Sequence, residues 1–106
     1  MFEFTATGPA SKDFKYRDQI RDASASAPRN IAEGFARFRP KDFARFLEIA
    51  RASLVETRNH LIDGYDNHYL EERLYWRLSN LCRAALKTTT NLMLAKQRQT
   101  HQLSKR

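Results

Sequence analysis

Between positions 43 and 61, Phe43, Leu47, Ala50, Leu54, Thr57 and Leu61 recur at gaps of four, three, four, three and four. Only one face of a helix repeats that way, because about 3.6 residues complete a turn, whereas a strand brings alternate residues to one side. Phe46, Ile49 and Ile62 widen the apolar face beyond a two-stranded seam, as a bundle interior requires. Arg45, Glu48, Arg51 and Arg58 lie mostly off it. Pro40 stands where a first-turn proline loses no hydrogen bond, and Gly64 and Asn67 mark the far end. A helix over 40–64 follows.

Two more stripes flank it. Tyr16, Ile20, Ala23, Ala27, Ile31 and Phe35 follow gaps of four, three, four, four and four. Ser11 is placed to cap that helix, with Asp13 in its first turn favoured by the macrodipole. Pro28 interrupts the hydrogen bonding but not the stripe, so a kinked helix is expected over 12–36. Leu70, Leu74, Leu78, Leu81, Ala85, Thr88, Leu92 and Ala95 predict a third helix over 70–97. Residues 1–11 hold Gly8 and Pro9 without periodicity and read as extended chain or loop. Residues 98–106 read as a basic, frayed tail. Glycine and proline number three each, which suits long helices. Short turns between them impose antiparallel neighbours. The expectation is one all-α domain over 1–106, an up-and-down antiparallel bundle.

The chain carries +7 formal charge, unevenly spread. Residues 1–40 have net +2, residues 41–70 net −1 and residues 71–106 net +6. Such a balance favours a polyanionic partner, a solvated basic surface being the plainer reading. On a helical projection Arg73, Arg77, Arg83, Lys87 and Arg98 share an arc of about 120°, away from the leucines. Tyr69 and Trp76 fall on the same arc, where they read as a seam between subunits or as rings that stack on bases. Arg21, Arg29, Arg37, Arg39 and Lys41 form a second basic group around the first turn.

Other chemistry has little support. Cys82 is the only cysteine, and His60, His68 and His101 lack the spacing of helix-borne ligands, so no metal or cofactor is expected. No nucleophile–base pairing or phosphate-cradling glycine loop is present, and no small-molecule substrate is expected. No segment approaches the length of a membrane span, and the N-terminus lacks a leader pattern, so a soluble, cytoplasmic protein is expected. Asn30, Glu33 and Arg37 are three and four apart, and Gln19, Ser26, Ser53 and Glu56 lie near the stripes. Glu33 and Glu56 as an acid and base would make an enzyme. The group reads instead as a hydrogen-bonded network that fixes helix register.

Asp18-Gln19-Ile20-Arg21, Ser26, Pro28, Asn30-Ile31-Ala32-Glu33-Gly34-Phe35 and Arg37 form one pattern; Phe43, Phe46-Leu47, Ile49-Ala50, Ser53-Leu54 and Glu56-Thr57 continue it. In these residues the chain resembles the four-helix-bundle family of 23S rRNA intervening sequences, related to accessory proteins of diversity-generating retroelements. The resemblance implies an up-and-down four-helix bundle that assembles as a ring, commonly a pentamer, with no enzymatic activity. Family members usually begin with a further helix; here only Met1 to Phe4 precede the Thr5–Pro9 segment. Three long helices are therefore expected, the first helix of the family being absent or a stub, with a partner chain covering the exposed side. The functional expectation is a homo-oligomeric scaffold that binds RNA or a nucleoprotein. The alternative is an adaptor whose ring docks a partner enzyme such as a reverse transcriptase. For Gly34 close packing by another helix is expected ahead of a left-handed turn.

Overall fold

A computed structural model describes residues 2–104, Phe2 by its backbone alone. Two single-turn helices, α1 (Phe2–Ala6) and α2 (Gly8–Lys12), precede three long ones, α3 (Phe14–Phe35), α4 (Pro40–Asp66) and α5 (Glu72–Ser104). No strand occurs among the described residues. Paired contacts set the direction of each helix. Gly34 meets Phe43 and Ser26 meets Ser53 across α3 and α4, while Tyr65 stacks on Tyr75 and Arg51 reaches Thr90 across α4 and α5. Both neighbouring pairs are antiparallel, so the long helices run up, down and up in an all-α bundle.

The bundle is open. α3 and α5 each pack along α4 and scarcely touch one another. With helix axes 8–10 Å apart, three rods laid side by side account for the molecule's 56 × 21 × 15 Å extents. The stripe of α4 is enclosed along its whole length, since Phe43, Leu47, Ala50, Leu54, Thr57 and Leu61 are all buried. On α3, Tyr16, Ile20, Ala23 and Ala27 are buried, whereas Phe35 lies open at the helix end.

Helix α5 departs from its expected stripe. The residues buried on it are Ser79, Cys82 and Thr89, and Leu81 is 61% exposed. Small side chains line the closest approach to α4, which leaves the larger leucines to one side. Leu78, Leu81 and Ala85 of α5 line a groove of about 270 Å³, with Leu54 and Thr57 at its floor and Ser24 of α3 opposite. Burial of Cys82 pushes its thiol above the usual range, as for a small apolar filler rather than a nucleophile.

Four boundary expectations need correction. Of the segment 1–11 expected as extended chain or loop, Phe2–Ala6 form α1 and 8–11 most of α2, position 1 lying outside the described residues; Gly8, at φ +70°, and Pro9 occupy the start of a one-turn helix, where neither breaks a ladder. Thr5 and Ala10 are buried, and Phe4 packs against the core of Tyr16, Ile20, Leu61 and Leu70. Asp13, not Ser11, caps α3: its carboxylate accepts from the Tyr16 N–H at 3.1 Å, while the Ser11 hydroxyl donates to the Gly8 carbonyl. The tail expected from 98 onward continues α5 through Ser104, and positions 105 and 106 lie outside the described residues. Gly64 does not end α4, which runs two residues further. It lies under the Tyr16 ring, where a Cβ would come within 2.2 Å of the phenolic oxygen.

What ends α4 is a left-handed residue. His68 has φ 59°; its N–H reaches the Tyr65 carbonyl, and the next N–H, of Tyr69, reaches that of Gly64 at 2.8 Å. This pair of bonds closes a helix C-terminus in the Schellman manner. Pro28 sits inside a continuous α3.

Candidate nucleic-acid interface

The rise of α5 spreads its outer face over about 50 Å. Arg73, Arg77, Arg83, Lys87 and Arg98 are all exposed along it, and no carboxylate among the described residues pairs with any of the five. Trp76 stands among them, 48% exposed, edge-on to Tyr75 at 5.2 Å. Tyr69 does not join Trp76. It precedes α5, its ring packs 4.9 Å from Tyr16, and its hydroxyl donates to Asp13 at 2.6 Å. Both oxygens of Asp13 are thereby engaged. The Tyr69 hydroxyl, with the Tyr16 N–H, holds the Asp13 carboxyl below its usual range, and the same bond raises Tyr69 above its own. The heptad spacing of Tyr69 and Trp76 suggested one face only because α5 was taken to begin before Glu72.

The second basic group gathers at the opposite end, around the α3–α4 turn. Arg37 pairs with Glu33 one turn back, and its guanidinium lies 5.0 Å from the Phe46 ring. Arg39 approaches Asp42 at 3.9 Å, and Arg29 is exposed and unpaired. Lys41 and Arg45 line a cleft with Glu48, Gln97 and Thr100, bringing the last turns of α5 beside the start of α4. Arg21 is elsewhere, donating to Thr5 Oγ1 at 2.9 Å. The pairings across the helices place residues 25–51 and 88–104 in this half of the molecule. That half holds eight basic and three acidic residues, net +5, against nine and nine in the remaining described residues. The charge of the described residues is therefore a property of one end.

Phe38 sits at the tip of that end, fully exposed between Arg37 and Arg39. The sequence reading passed over it because it belongs to no stripe. An aromatic between two arginines beside a proline was the signal that could have found it.

The polar motif divides. The Ser53 hydroxyl lies 2.8 Å from that of Ser26, and the Asn30 amide donates to the Ser26 carbonyl at 2.8 Å and to its hydroxyl at 3.0 Å. Thr57 donates to the Ser53 carbonyl at 2.8 Å. Of these bonds the one between Ser53 and Ser26 crosses from α4 to α3 and fixes their register, while Asn30 and Thr57 hold its two ends from within their own helices. Gln19 is exposed outside this cluster. Glu33 answers to Arg37 and Glu56 to His60 at 3.5 Å, each along its own helix, so the two carboxylates do not form an acid–base pair. The Nε2 of His60 is buried without a hydrogen bond, a feature no spacing announced. Gly34 is helical, and a Cβ there would come 3.1 Å from the Phe43 ring, so its role is close packing. Among the described residues no group of three His, Cys, Asp or Glu side chains could hold a metal ion, and no helix is long and apolar enough to cross a membrane.

A family model described as 23S rRNA-intervening sequence protein matches residues 1–102. The chain belongs to that family. In this 23S rRNA-intervening sequence family member the match takes in α1 and α2 as well as the three long helices. No match was found among curated proteins or solved structures.

Proposed function

We propose that the protein is a non-enzymatic, oligomeric scaffold that binds RNA, alone or within a nucleoprotein, through its basic surfaces. The observation that carries this reading is the row of five exposed cations on α5 without carboxylate partners, of which Arg98 lies in the net +5 end and the other four in the half whose charges balance overall. Cations left unpaired keep their full attraction for phosphates, whereas a neighbouring carboxylate weakens it. Membership of a family described by 23S rRNA-intervening sequences is consistent with an RNA-related role. Oligomerisation is supported by the groove beside α5, whose leucines lack a covering helix. The ring, and five subunits in it, come from the family resemblance.

The test is retention of labelled RNA at low salt, with charge reversal at Arg77 and Lys87. Each phosphate contact removed lowers the steepness of the salt dependence by about one unit in a log–log plot. Absence of any RNA retention by the wild-type protein at low salt defeats the proposal.

The exposed ring of Trp76 favours a second reading, an adaptor that docks a partner enzyme such as a reverse transcriptase. Truncation of Trp76 would then abolish biological activity with assembly intact, and reversal at Arg73, Arg77 and Lys87 would not.

A further inference from the structure

Phe38 has no structural reason to be where it is. Its neighbours in sequence are charged, its ring is more exposed than in an extended chain at 103%, and it makes no ring contact among the described residues. The other exposed aromatics are engaged: Phe35 packs edge-on to Phe43 at 4.7 Å, and Phe14 lies under the Arg17 guanidinium at 4.9 Å. The turn also gives Phe38 a fixed setting. The Ala36 and Arg37 N–H groups bond back to Glu33 and Gly34, and Pro40 starts α4 two residues on. The ring thus projects from the end of the bundle, between Arg37 and Arg39, at the pole that carries net +5.

We propose that Phe38 is a stacking platform for an unpaired base, and that the Arg37-Phe38-Arg39 turn directs the protein to single-stranded RNA rather than to duplex. This inference rests on the RNA-binding reading above and names the form of RNA. An aromatic face accepts any base that is free of its own stack, and a base inside a duplex is not free. Arg37 and Arg39 are two residues apart, a span of at most about 7 Å. They therefore stand on either side of the ring, and their partners Glu33 and Asp42 are solvent-exposed carboxylates in weak surface pairs that a phosphate can displace. A second copy of the chain fits this tip poorly, because it would bring the same positive charge to the contact. A protein docking surface would need a contiguous apolar patch; the immediate neighbours of Phe38 are cations, and Phe35, the other exposed ring at this end, is turned onto Phe43.

The experiment compares wild type, Phe38→Ala and Phe38→Tyr by fluorescence anisotropy. The probes are an oligouridine of about 20 nucleotides, a duplex RNA of similar length, heparin, and vesicles containing an anionic lipid. Thermal melting should be the same for all three proteins, since Phe38 buries nothing. Wild type should prefer oligouridine to duplex. Phe38→Ala should lose affinity for oligouridine by about tenfold, with duplex and heparin binding unchanged, and Phe38→Tyr should retain it. Oligouridine binding by Phe38→Ala equal to wild type overturns the inference. So does an equal loss on heparin, which has no bases, or a loss confined to the vesicles. Wild-type protein that binds neither RNA nor heparin defeats the RNA-binding reading itself, a different outcome from retained binding by Phe38→Ala.

Discussion

Two glycines that look alike in sequence do different work. Both lie inside helices, where exchange for alanine normally gains about 1 kcal/mol of helix propensity. At Gly64 the added carbon would meet the Tyr16 hydroxyl at 2.2 Å, and that hydroxyl is held by its 2.7 Å bond to the His60 carbonyl. Tyr16 is buried in the core with Ile20 and Leu61, so it cannot swing clear. Gly64→Ala should therefore destabilise by roughly 1–3 kcal/mol, the range for overpacking. At Gly34 the nearest atoms are the Phe43 ring at 3.1 Å and the Phe46 Cβ at 3.3 Å, and a shift of a few tenths of an ångström relieves both. Gly34→Ala should cost clearly less. Urea unfolding followed by circular dichroism measures both, and a larger loss at Gly34 than at Gly64 would refute this account of the packing.

Between elements, the link that depends on pH is the one from the α4–α5 turn to the start of α3. Asp13 caps α3 and receives the Tyr69 hydroxyl, so its carboxyl is held below the ordinary aspartate value of 3.8. A carboxylate with a lowered folded pKa stabilises above its unfolded value and loses that contribution as pH falls through the folded one. Tyr69 is raised by the same bond, and Tyr16 chiefly by burial, above the ordinary tyrosine value of 10.0. Their contribution is complete below that value and is lost as pH rises beyond it. The melting temperature should fall below about pH 4 and again above about pH 10. Tyr69→Phe should weaken both dependences, because it removes the largest cause of the Asp13 shift and one of the two tyrosines. A melting temperature indifferent to Tyr69→Phe at both extremes would contradict the coupling.

How far the elements could be read from sequence depended on how many neighbours each has. Helix α4 is flanked on both sides, so every member of its stripe is buried, and 3.6-residue periodicity was sufficient. Helix α5 has a long neighbour on one side only, and packs through Ser79, Cys82 and Thr89. Those residues are small, and a search for large apolar side chains passes over them. The Ser26–Ser53 bond was within reach of a polar-motif reading, since both residues interrupt apolar stripes. Asp13–Tyr69 spans 56 residues, and no local pattern encodes it. Phe38 escaped for the opposite reason: it contacts nothing that periodicity can detect.

At the scale of the whole molecule, the open side of the layer is the feature that a lone chain explains least. Leu81 is 61% exposed at the lip of the groove that Leu54 and Leu78 line. Isolated surface leucines are ordinary, but this one joins the apolar groove of Leu54, Leu78 and Ala85 to a hollow where Phe4 and Leu74 are rimmed by Glu3 and Arg77. If copies of the chain cover that surface, Leu81 is buried in the assembly, and a carboxylate there would be placed in apolar surroundings without a partner. If the groove stays open to water, the same carboxylate costs no more than about 0.5 kcal/mol. Leu81→Glu therefore separates the two states in one preparation. Light scattering should give wild-type protein a mass several times the 12.4 kDa of one chain, and Leu81→Glu a mass near that of the single chain. The far-ultraviolet helical signal should be retained, because the contacts along α4 do not involve the Leu81 side chain's exposed face. A wild-type protein at 12.4 kDa whose melting temperature Leu81→Glu leaves unchanged would show that the layer is complete as a monomer.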